Sequence, residues 1–171
     1  MRTKSALRQQ AEQDRRALPV PSLDGVLSEL VEAATRVAAY VAVGTEPHVT
    51  VRHGWLLPVV TEDWDLDWAS YDGRLATRRG LHEPTGPLLG RAALASCDLV
   101  LVPALLVDLT GARLGKGGGC YDRALPRAGG LTVALVHDHE LVEQLPVEAH
   151  DVRVAAAATP GRGLVRLPAK M

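Results

Sequence analysis

Short apolar runs alternate with amphipathic stretches along the chain, and their spacing predicts alternating strands and helices. Residues 3–16 favour a helix with Thr3 as its N-cap. Ser22 is predicted to cap a second helix, whose apolar residues recur at helical spacing as far as Ala34. The polar stretch 63–86 is predicted to be irregular. Strands are predicted for the apolar runs 37–43, 55–60, 98–107, 131–136 and 152–158, and shorter helices for 88–95 and 121–128.

This order of elements predicts a single domain over residues 1–171. Strands that are apolar on both faces are typical of a parallel sheet covered by helices on both sides. Apolar residues make up 47% of the chain, and they are mostly Ala, Val and Leu with no Phe, which suits close packing of helices on a sheet. We therefore expect an α/β fold: a three-layer α/β/α sandwich with a mainly parallel, Rossmann-like sheet.

Charge and cysteine content narrow the classes of function. The chain has 19 Lys and Arg against 20 Asp and Glu, a net charge of −1, which argues against nucleic acid as a partner because such binding depends on phosphate contacts. Two cysteines, Cys97 and Cys120, are too few for a disulfide framework. No apolar run approaches the roughly 20 residues that span a bilayer, and the charged N-terminal stretch is unlike a signal peptide. We expect a cytoplasmic protein with no membrane partner and favour a monomer.

The segment DLTGARLGKGGGCYDR (residues 108–123) follows the most apolar strand and precedes a predicted helix, where ligands of open α/β sheets bind. Its glycines allow successive backbone N–H groups to converge on one anion, and the helix N-terminus adds further donors. Arg113 and Lys116 add positive charge. A P-loop does not match, because Gly117 stands where its hydroxyl residue is required. The segment indicates a phosphate-binding loop, with a flexible glycine-rich turn as the alternative.

The sequence RLGKGGGCYDRAL resembles the R-L-G-x-G-x-G-x-Y-D signature of the 5-formyltetrahydrofolate cyclo-ligase family. Other segments resemble further elements of this family in the same order, which argues against a chance similarity. They are KSALR (residues 4–8) for its K-x-x-L-R element, GTEP (44–47) for its substrate-side glutamate, LHEP (81–84) for its G-[LI]-x-E-P segment, and HDHELVEQLPVEAHD (137–151) with Thr159-Pro160 for its closing stretch.

The resemblance implies ATP-dependent cyclisation of 5-formyltetrahydrofolate to 5,10-methenyltetrahydrofolate, with release of ADP and phosphate. ATP, the co-substrate, phosphorylates the formyl oxygen, and N10 of the folate then attacks the activated carbon. The implied catalytic residues are Lys116, Arg113 and Asp122, and the implied Mg²⁺ ligands are Asp122 and Asp151. The implied ATP-binding residues are Lys4, Arg8, Arg113, Leu114, Gly115, Lys116, Gly117, Gly118, Gly119, Cys120 and Tyr121.

The same resemblance implies a reduced folate as the small-molecule substrate, with Glu46 holding its pterin or formyl side. An aromatic side chain is also a candidate to stack on the folate rings, with core packing as the alternative for each one. The implied substrate-binding residues are Glu46, Lys116, Gly117, Gly118, Gly119 and Cys120, and the aromatic candidates are Trp55, Trp64, Trp68 and Tyr71.

The chain departs from the family pattern at two places near the expected site. Cys120 stands where the family has an aromatic residue, and only a short segment separates Glu46 from Pro58, where the family has a helix. The alternative function is therefore a non-catalytic or weakly active nucleotide- or folate-binding paralogue. A phosphosugar- or CoA-handling enzyme on a similar sheet is a third interpretation, which does not require Lys4, Arg8 and Glu46 together.

Overall fold

The computed structural model describes residues 1–168 as alternating helices and short strands. Its helices are α1 (Lys4–Arg16), α2 (Asp24–Ala33) and α3 (Cys120–Ala124), with 3-10 helices at Arg91–Ser96, Leu125–Arg127 and Asp138–Glu140. Its strands are β1 (Val37–Ala38), β2 (Leu56–Val60), β3 (Leu66–Ser70), β4 (Leu75–Arg78), β5 (Leu81–Pro84), β6 (Leu99–Pro103), β7 (Leu106–Asp108), β8 (Arg113–Leu114), β9 (Leu131–Leu135), β10 (Leu141–Val142), β11 (Ala156–Thr159) and β12 (Gly163–Arg166).

Seven strands form the central sheet in the order β12-β11-β9-β6-β1-β2-β3. The five inner strands are parallel, and only the edge strands β12 and β3 run antiparallel to their neighbours. A smaller sheet has the order β10-β7-β8, and β4 pairs with β5 in a separate hairpin. The expected mainly parallel α/β fold is therefore confirmed.

The central sheet buries both of its faces, because successive side chains of β6 point to opposite sides. Leu99 and Leu101 pack in one apolar cluster with Leu27 of α2. Val100 and Val102 pack in a second cluster on the other face, where Leu94 comes from the 3-10 helix at Arg91–Ser96. These two clusters produce the three layers that the sequence predicts. Within residues 1–168, no helix has the length and apolar composition that crossing a bilayer requires.

Helix α1 lies over the smaller sheet rather than the central one. Thr3 caps it, since its side-chain oxygen accepts a hydrogen bond from the Ala6 N–H at 3.1 Å. The apolar residues Leu7 and Ala11 pack in a third cluster with Leu105 and other residues of this region. The prediction of this helix and of its cap is confirmed.

The first strand is much shorter than the predicted run 37–43, because its neighbour contains a proline. The Ala39 N–H donates to the Leu56 carbonyl at 2.9 Å. Pro58, two residues further along β2, has the same orientation but no N–H to donate toward β1. The ladder between β1 and β2 therefore ends, and residues 40–43 leave the sheet at its carboxyl edge.

Other predicted elements also differ from the structure, and the strand predicted for 152–158 begins only at Ala156. The predicted strand 98–107 divides after Pro103 into β6 and β7, which belong to different sheets. The stretch 63–86, predicted to be irregular, contains the three strands β3, β4 and β5. The helix after Ser22 begins at Asp24, with no side-chain hydrogen bond at its N-cap Leu23.

Candidate active site

A cavity of about 850 Å³ opens at the carboxyl ends of β1 and β6, beside the glycine-rich segment. Among the residues assigned above to catalysis, ATP, folate or magnesium, aromatic stacking candidates aside, only Leu114 does not line it, because its side chain is buried in the apolar cluster beneath α1. The cavity brings the others together: Lys4, Arg8, Glu46, Arg113, Gly115, Lys116, Gly117, Gly118, Gly119, Cys120, Tyr121, Asp122 and Asp151.

The glycine loop, residues 115–119, connects β8 to α3 along one wall of the cavity. Gly117 has a φ of +108° and Gly119 a φ of +77°, a backbone region that residues with a Cβ rarely adopt. Gly119 is also the N-cap of α3. These two glycines let the backbone follow this path, and all five residues of the loop line the cavity.

Arg113 lies beneath this loop and is nearly buried, with its side chain 6% exposed. Its Nε donates a hydrogen bond to the Pro103 carbonyl at 2.7 Å, and its guanidinium lies 5.3 Å from the centre of the Tyr121 ring. Burial lowers the pKa of Arg113, and the nearby Asp122 carboxylate, 3.8 Å away at its closest, opposes that shift. The end of β6 thus holds a positive charge at the floor of the cavity.

Helix α1 supplies two more cations from one of its faces. The Arg8 Nε donates to the Gly115 carbonyl at 2.8 Å, so Arg8 contacts the glycine loop directly. The Lys4 Nζ lies 2.8 Å from an oxygen of Asp151 and 3.4 Å from one of Glu148. Partial burial opposes the charge of Lys4, but the hydrogen bond and attraction to Asp151 outweigh it and raise the Lys4 pKa.

Glu46 and Lys116 face each other across the cavity. The Lys116 Nζ lies 3.7 Å from one oxygen of Glu46, and the Lys116 side chain is 50% exposed. The other Glu46 oxygen accepts a hydrogen bond from the Val43 N–H at 2.9 Å, which fixes the carboxylate in the turn after β1. At this point of the cavity the Glu46 carboxylate therefore lies beside the ammonium group of the glycine loop.

Two buried polar atoms at this site have no hydrogen-bond partner in the structure: an oxygen of Asp122 and the Tyr121 hydroxyl. Buried polar atoms are normally paired, so each is a candidate to contact a ligand. No cluster of three or more His, Cys, Asp or Glu side chains that would hold a metal occurs within residues 1–168. A metal held here would need ligands from a bound phosphate or water as well.

A model of the 5-formyltetrahydrofolate cyclo-ligase family matches residues 2–160. The chain is also 40% identical to the 5-formyltetrahydrofolate cyclo-ligase of Mycolicibacterium smegmatis, over 97% of this chain and 98% of that protein. The chain belongs to the 5-formyltetrahydrofolate cyclo-ligase family. The Escherichia coli cyclo-ligase is 38% identical over 50% of this chain and 48% of its own length.

Solved structures agree with this membership. The 5,10-methenyltetrahydrofolate synthetase of Aquifex aeolicus superposes with a TM-score of 0.75 at 25% identity, covering 98% of this chain and 94% of that one. The structure of the Mycoplasma pneumoniae synthetase has a TM-score of 0.69 at 18% identity, covering 91% and 98%, and supports the fold alone. The expected family and its ligase class are confirmed.

Sequence reasoning missed several residues of this cyclo-ligase cavity. Tyr40 and Glu83 line it, as does Arg123, whose Nη1 donates to the Gly118 carbonyl at 3.0 Å. Tyr40 could have been found as the one hydroxyl-bearing ring in an otherwise aliphatic run. Glu83 could have been found as the acid of the LHEP segment. No local pattern marked Arg123, because its partner carbonyl is defined only by the path of the loop.

None of the four aromatic candidates for stacking lines the cavity in this family member. Trp55 and Trp68 are buried in the apolar clusters, which is the core-packing alternative. Trp64 is 52% exposed, and its ring lies under the Arg79 guanidinium at 5.6 Å. The aromatic rings that reach the cavity instead are Tyr40 and Tyr121.

Proposed function

We propose that this chain catalyses the ATP-dependent cyclisation of 5-formyltetrahydrofolate to 5,10-methenyltetrahydrofolate, with ADP and phosphate as the other products. One observation carries the proposal. In a member of this family, a single cavity holds a cationic glycine loop on one wall and the carboxylate of Glu46 opposite it, 3.7 Å from Lys116. One site thus offers complementary surfaces to a triphosphate and to a ring rich in N–H donors.

The nucleotide side of the reaction is assigned to the glycine loop and the cations around it. Phosphoryl transfer requires positioning and charge neutralisation more than covalent chemistry by the protein. Lys116 is half-exposed and free to turn toward the transferred phosphate, whereas Arg113 is fixed beneath the loop. Arg8 already bonds Gly115, and Lys4 reaches the cavity from the same helix face. These residues favour the formyl oxygen attacking the terminal phosphorus of ATP.

The folate side is assigned to Glu46. A carboxylate accepts hydrogen bonds only, so it suits the N–H groups of a pterin ring and repels a triphosphate. Its hydrogen bond with Val43 keeps it directed into the cavity. Once the formyl oxygen is phosphorylated, N10 bonds to the formyl carbon, the carbon–oxygen bond breaks, and phosphate leaves with that oxygen. N10 loses its proton, and the methenyl bridge closes the ring.

The residues present also fit a magnesium ion at Asp122 and Asp151. Magnesium proteins often supply one or two carboxylates and leave the other positions to phosphates and water. Asp122 has a buried oxygen without a hydrogen-bond partner, and Asp151 lines the same cavity beside Lys4. When bound, the ion would supply charge neutralisation for the transferred phosphate. Asp122 and Asp151 would orient it toward the glycine loop.

We place this activity in the cytoplasm and favour a monomer as the active form. Within the described residues, Cys97 and Cys120 are free thiols, and unpaired cysteines suit a reducing compartment.

The test is to mix the purified protein with ATP, Mg²⁺ and 5-formyltetrahydrofolate and to follow the near-ultraviolet absorbance of the methenyl product. We expect absorbance growth that depends on all three additions, with one ADP released per product molecule. Calorimetric binding of ATP without any product would instead favour the non-catalytic paralogue.

A further inference from the structure

Helix α1 carries four residues in one stripe on the face that packs against the rest of the fold. Lys4, Arg8, Ala11 and Arg15 follow the spacing of a single helical stripe, at positions i, i+4, i+7 and i+11. The first two line the cavity, and Ala11 packs in the apolar cluster below. Arg15 is also charged but does not reach the cavity; it is 2% exposed. A fully buried arginine on the same face as two site cations requires a separate explanation.

Arg15 forms a bidentate ion pair with Glu140, which is itself fully buried. The Arg15 Nε lies 2.8 Å from one carboxylate oxygen and Nη2 lies 2.9 Å from the other. Nη2 also donates to the Ala104 carbonyl at 2.6 Å. Glu140 in turn accepts a hydrogen bond from the His137 N–H at 2.8 Å, at the carboxyl end of β9. The pair therefore joins α1 to the ends of two central strands.

The contact at Ala104 places this pair next to the floor of the cavity. The preceding carbonyl, that of Pro103, accepts the hydrogen bond from Arg113. Two consecutive carbonyls at the end of β6 thus hold two arginines, one beneath the glycine loop and one on α1. The two arginines are therefore anchored to adjacent residues of one stretch of backbone.

Stability alone is a weak explanation for such a pair. A buried ion pair loses hydration and often stabilises a fold no more than apolar residues of similar volume would. Leu7 and Ala11 already provide apolar contacts for α1. Apolar contacts tolerate small rotations and shifts of a helix, whereas a bidentate pair fixes direction as well as distance. Arg8 lies seven residues before Arg15, about 10 Å along the helix, so a shift at Arg15 moves Arg8 away from Gly115.

We propose that Arg15 and Glu140 are positioning residues for nucleotide binding. Their ion pair sets the position of α1 so that Arg8 meets the Gly115 carbonyl and Lys4 meets Asp151 at the cavity. This inference rests on the proposed function in that ATP is the ligand of this wall. The structural part, the fixed position of the first two turns of α1, can be measured without any ligand.

Two variants test the pair. Arg15→Lys keeps the charge and removes the bidentate geometry, and the double variant Arg15→Met/Glu140→Met keeps apolar volume while removing the pair. The matched control is Leu27→Ala, which removes a buried side chain from α2 on the other side of the sheet and so lowers stability without touching α1. Melting temperature, ATP affinity, KM and kcat are measured for all of them. Hydrogen exchange of residues 4–10 is followed in the absence of nucleotide.

We expect both pair variants to raise the ATP dissociation constant and the KM for ATP by about tenfold, since small misplacements of a binding group weaken its contacts. The kcat at saturating ATP and the KM for folate should change less than about twofold. Exchange of residues 4–10 should become faster in the pair variants and stay at its wild-type rate in Leu27→Ala. If Leu27→Ala raises the KM for ATP as much as the pair variants do, the effect comes from lost stability and the proposal is overturned.

The ligand-free measurement separates this inference from the proposed function. Unchanged exchange of residues 4–10 in either folded pair variant would overturn the positioning role, whatever the wild-type protein does with ATP. Failure of the wild-type protein to bind ATP would contradict the proposed function. Faster hydrogen exchange of residues 4–10 in the pair variants would still support the role of the ion pair in positioning α1.

Discussion

Arg113 and Lys116 both carry positive charge to the glycine loop, but their surroundings differ. The Lys116 side chain is 50% exposed, and its partner Glu46 lies 3.7 Å away. The Arg113 side chain is 6% exposed, and it bonds the Pro103 carbonyl and lies over the Tyr121 ring. Lys116 can therefore move to a ligand, whereas Arg113 also belongs to the packing beneath the loop. The two residues should respond differently to replacement by alanine.

Lys116→Ala is expected to weaken ATP binding by about 1.5–3 kcal/mol, the usual contribution of a charge-assisted hydrogen bond. Its melting temperature should stay at the wild-type value, because the side chain is half-exposed.

Arg113→Ala should weaken ATP binding too, and it should also lower the free energy of unfolding by about 1–3 kcal/mol, because the Pro103 carbonyl loses its partner. Calorimetry and thermal denaturation measure both effects. Unchanged ATP affinity in both variants would contradict the assignment of this wall.

Asp122→Asn tests the buried oxygen that accepts no hydrogen bond and lies 3.8 Å from the Arg113 Nη1. In the fold, this oxygen accepts no hydrogen bond, so the amide replacement removes charge and breaks no hydrogen bond of that atom. We expect turnover to fall and the melting temperature to stay nearly constant. The Mg²⁺ concentration that gives half-maximal rate should rise, because one ligand has lost its charge. A large loss of stability with unchanged magnesium dependence would instead give Asp122 a structural role, as a carboxylate in the first turn of α3.

At the scale of elements, the glycine loop and the short helix that follows it make the wall of the site. Gly119 joins the loop to the helix and has a φ of +77°. A Cβ at this position would lie 2.7 Å from the Arg123 Nη1, the group that donates to the Gly118 carbonyl. Gly118 has no such constraint, because a Cβ there meets nothing within 4 Å.

Gly119→Ala is therefore expected to lower the free energy of unfolding by about 1–2 kcal/mol, the cost of a left-handed backbone for a residue with a Cβ. ATP affinity should fall with it, because the loop and Arg123 must both move. Gly118→Ala is the matched control for stability. Chemical denaturation of the two variants makes the comparison, and equal stability of both would show that the loop tolerates another path at Gly119.

Elements with local signals were predictable from the sequence, and elements set by distant partners were not. Thr3 caps α1 within a single turn, and the glycines of the loop act on their own backbone. Strand β1, in contrast, ends because Pro58 in the neighbouring strand offers no N–H. The Arg15–Glu140 pair joins residues 125 positions apart, so no spacing in the sequence indicated it.

The candidate site was predictable to the extent that motifs marked it. Residues of the glycine loop, Glu46 and the two cations of α1 line one cavity as expected. The motif did not show that Leu114, unlike its neighbours, turns its side chain into the core and away from the cavity. It also placed stacking candidates among the tryptophans, although residue burial, which depends on the whole fold, keeps Trp68 away from the cavity.

At the scale of the whole molecule, the cavity is the place where separate parts of the chain meet. Lys4 and Arg8 come from the first helix, Glu46 from the turn after β1, Lys116 from the glycine loop, and Asp151 from the segment before β11. Both proposed substrates therefore contact one network of charges. In the proposed assignment Lys116 serves both substrates, since it lies 3.7 Å from Glu46 and belongs to the glycine loop.

This shared lysine predicts that ATP and folate bind with positive coupling. A triphosphate draws Lys116 away from Glu46 and leaves the carboxylate free to accept hydrogen bonds from the pterin. Coupling between two sites is reciprocal and typically amounts to about 5–150-fold in affinity. A non-hydrolysable ATP analogue should therefore raise the affinity for 5-formyltetrahydrofolate by about fivefold or more in the wild-type protein, as measured by calorimetric titration with and without the analogue.

Glu46→Gln decides whether this carboxylate is the point of coupling, because it keeps the size of the side chain and removes the charge. Folate should bind more weakly to the variant, and the analogue should no longer change that affinity. ATP should bind as well as before or slightly better, since the negative charge opposite the phosphates is gone. Equal folate affinity in the wild type and in Glu46→Gln, with cyclisation intact, would contradict the placement of the pterin at Glu46. If folate binds more weakly to Glu46→Gln but the analogue still raises its affinity, the pterin lies at Glu46 and the coupling acts through another cation of the cavity.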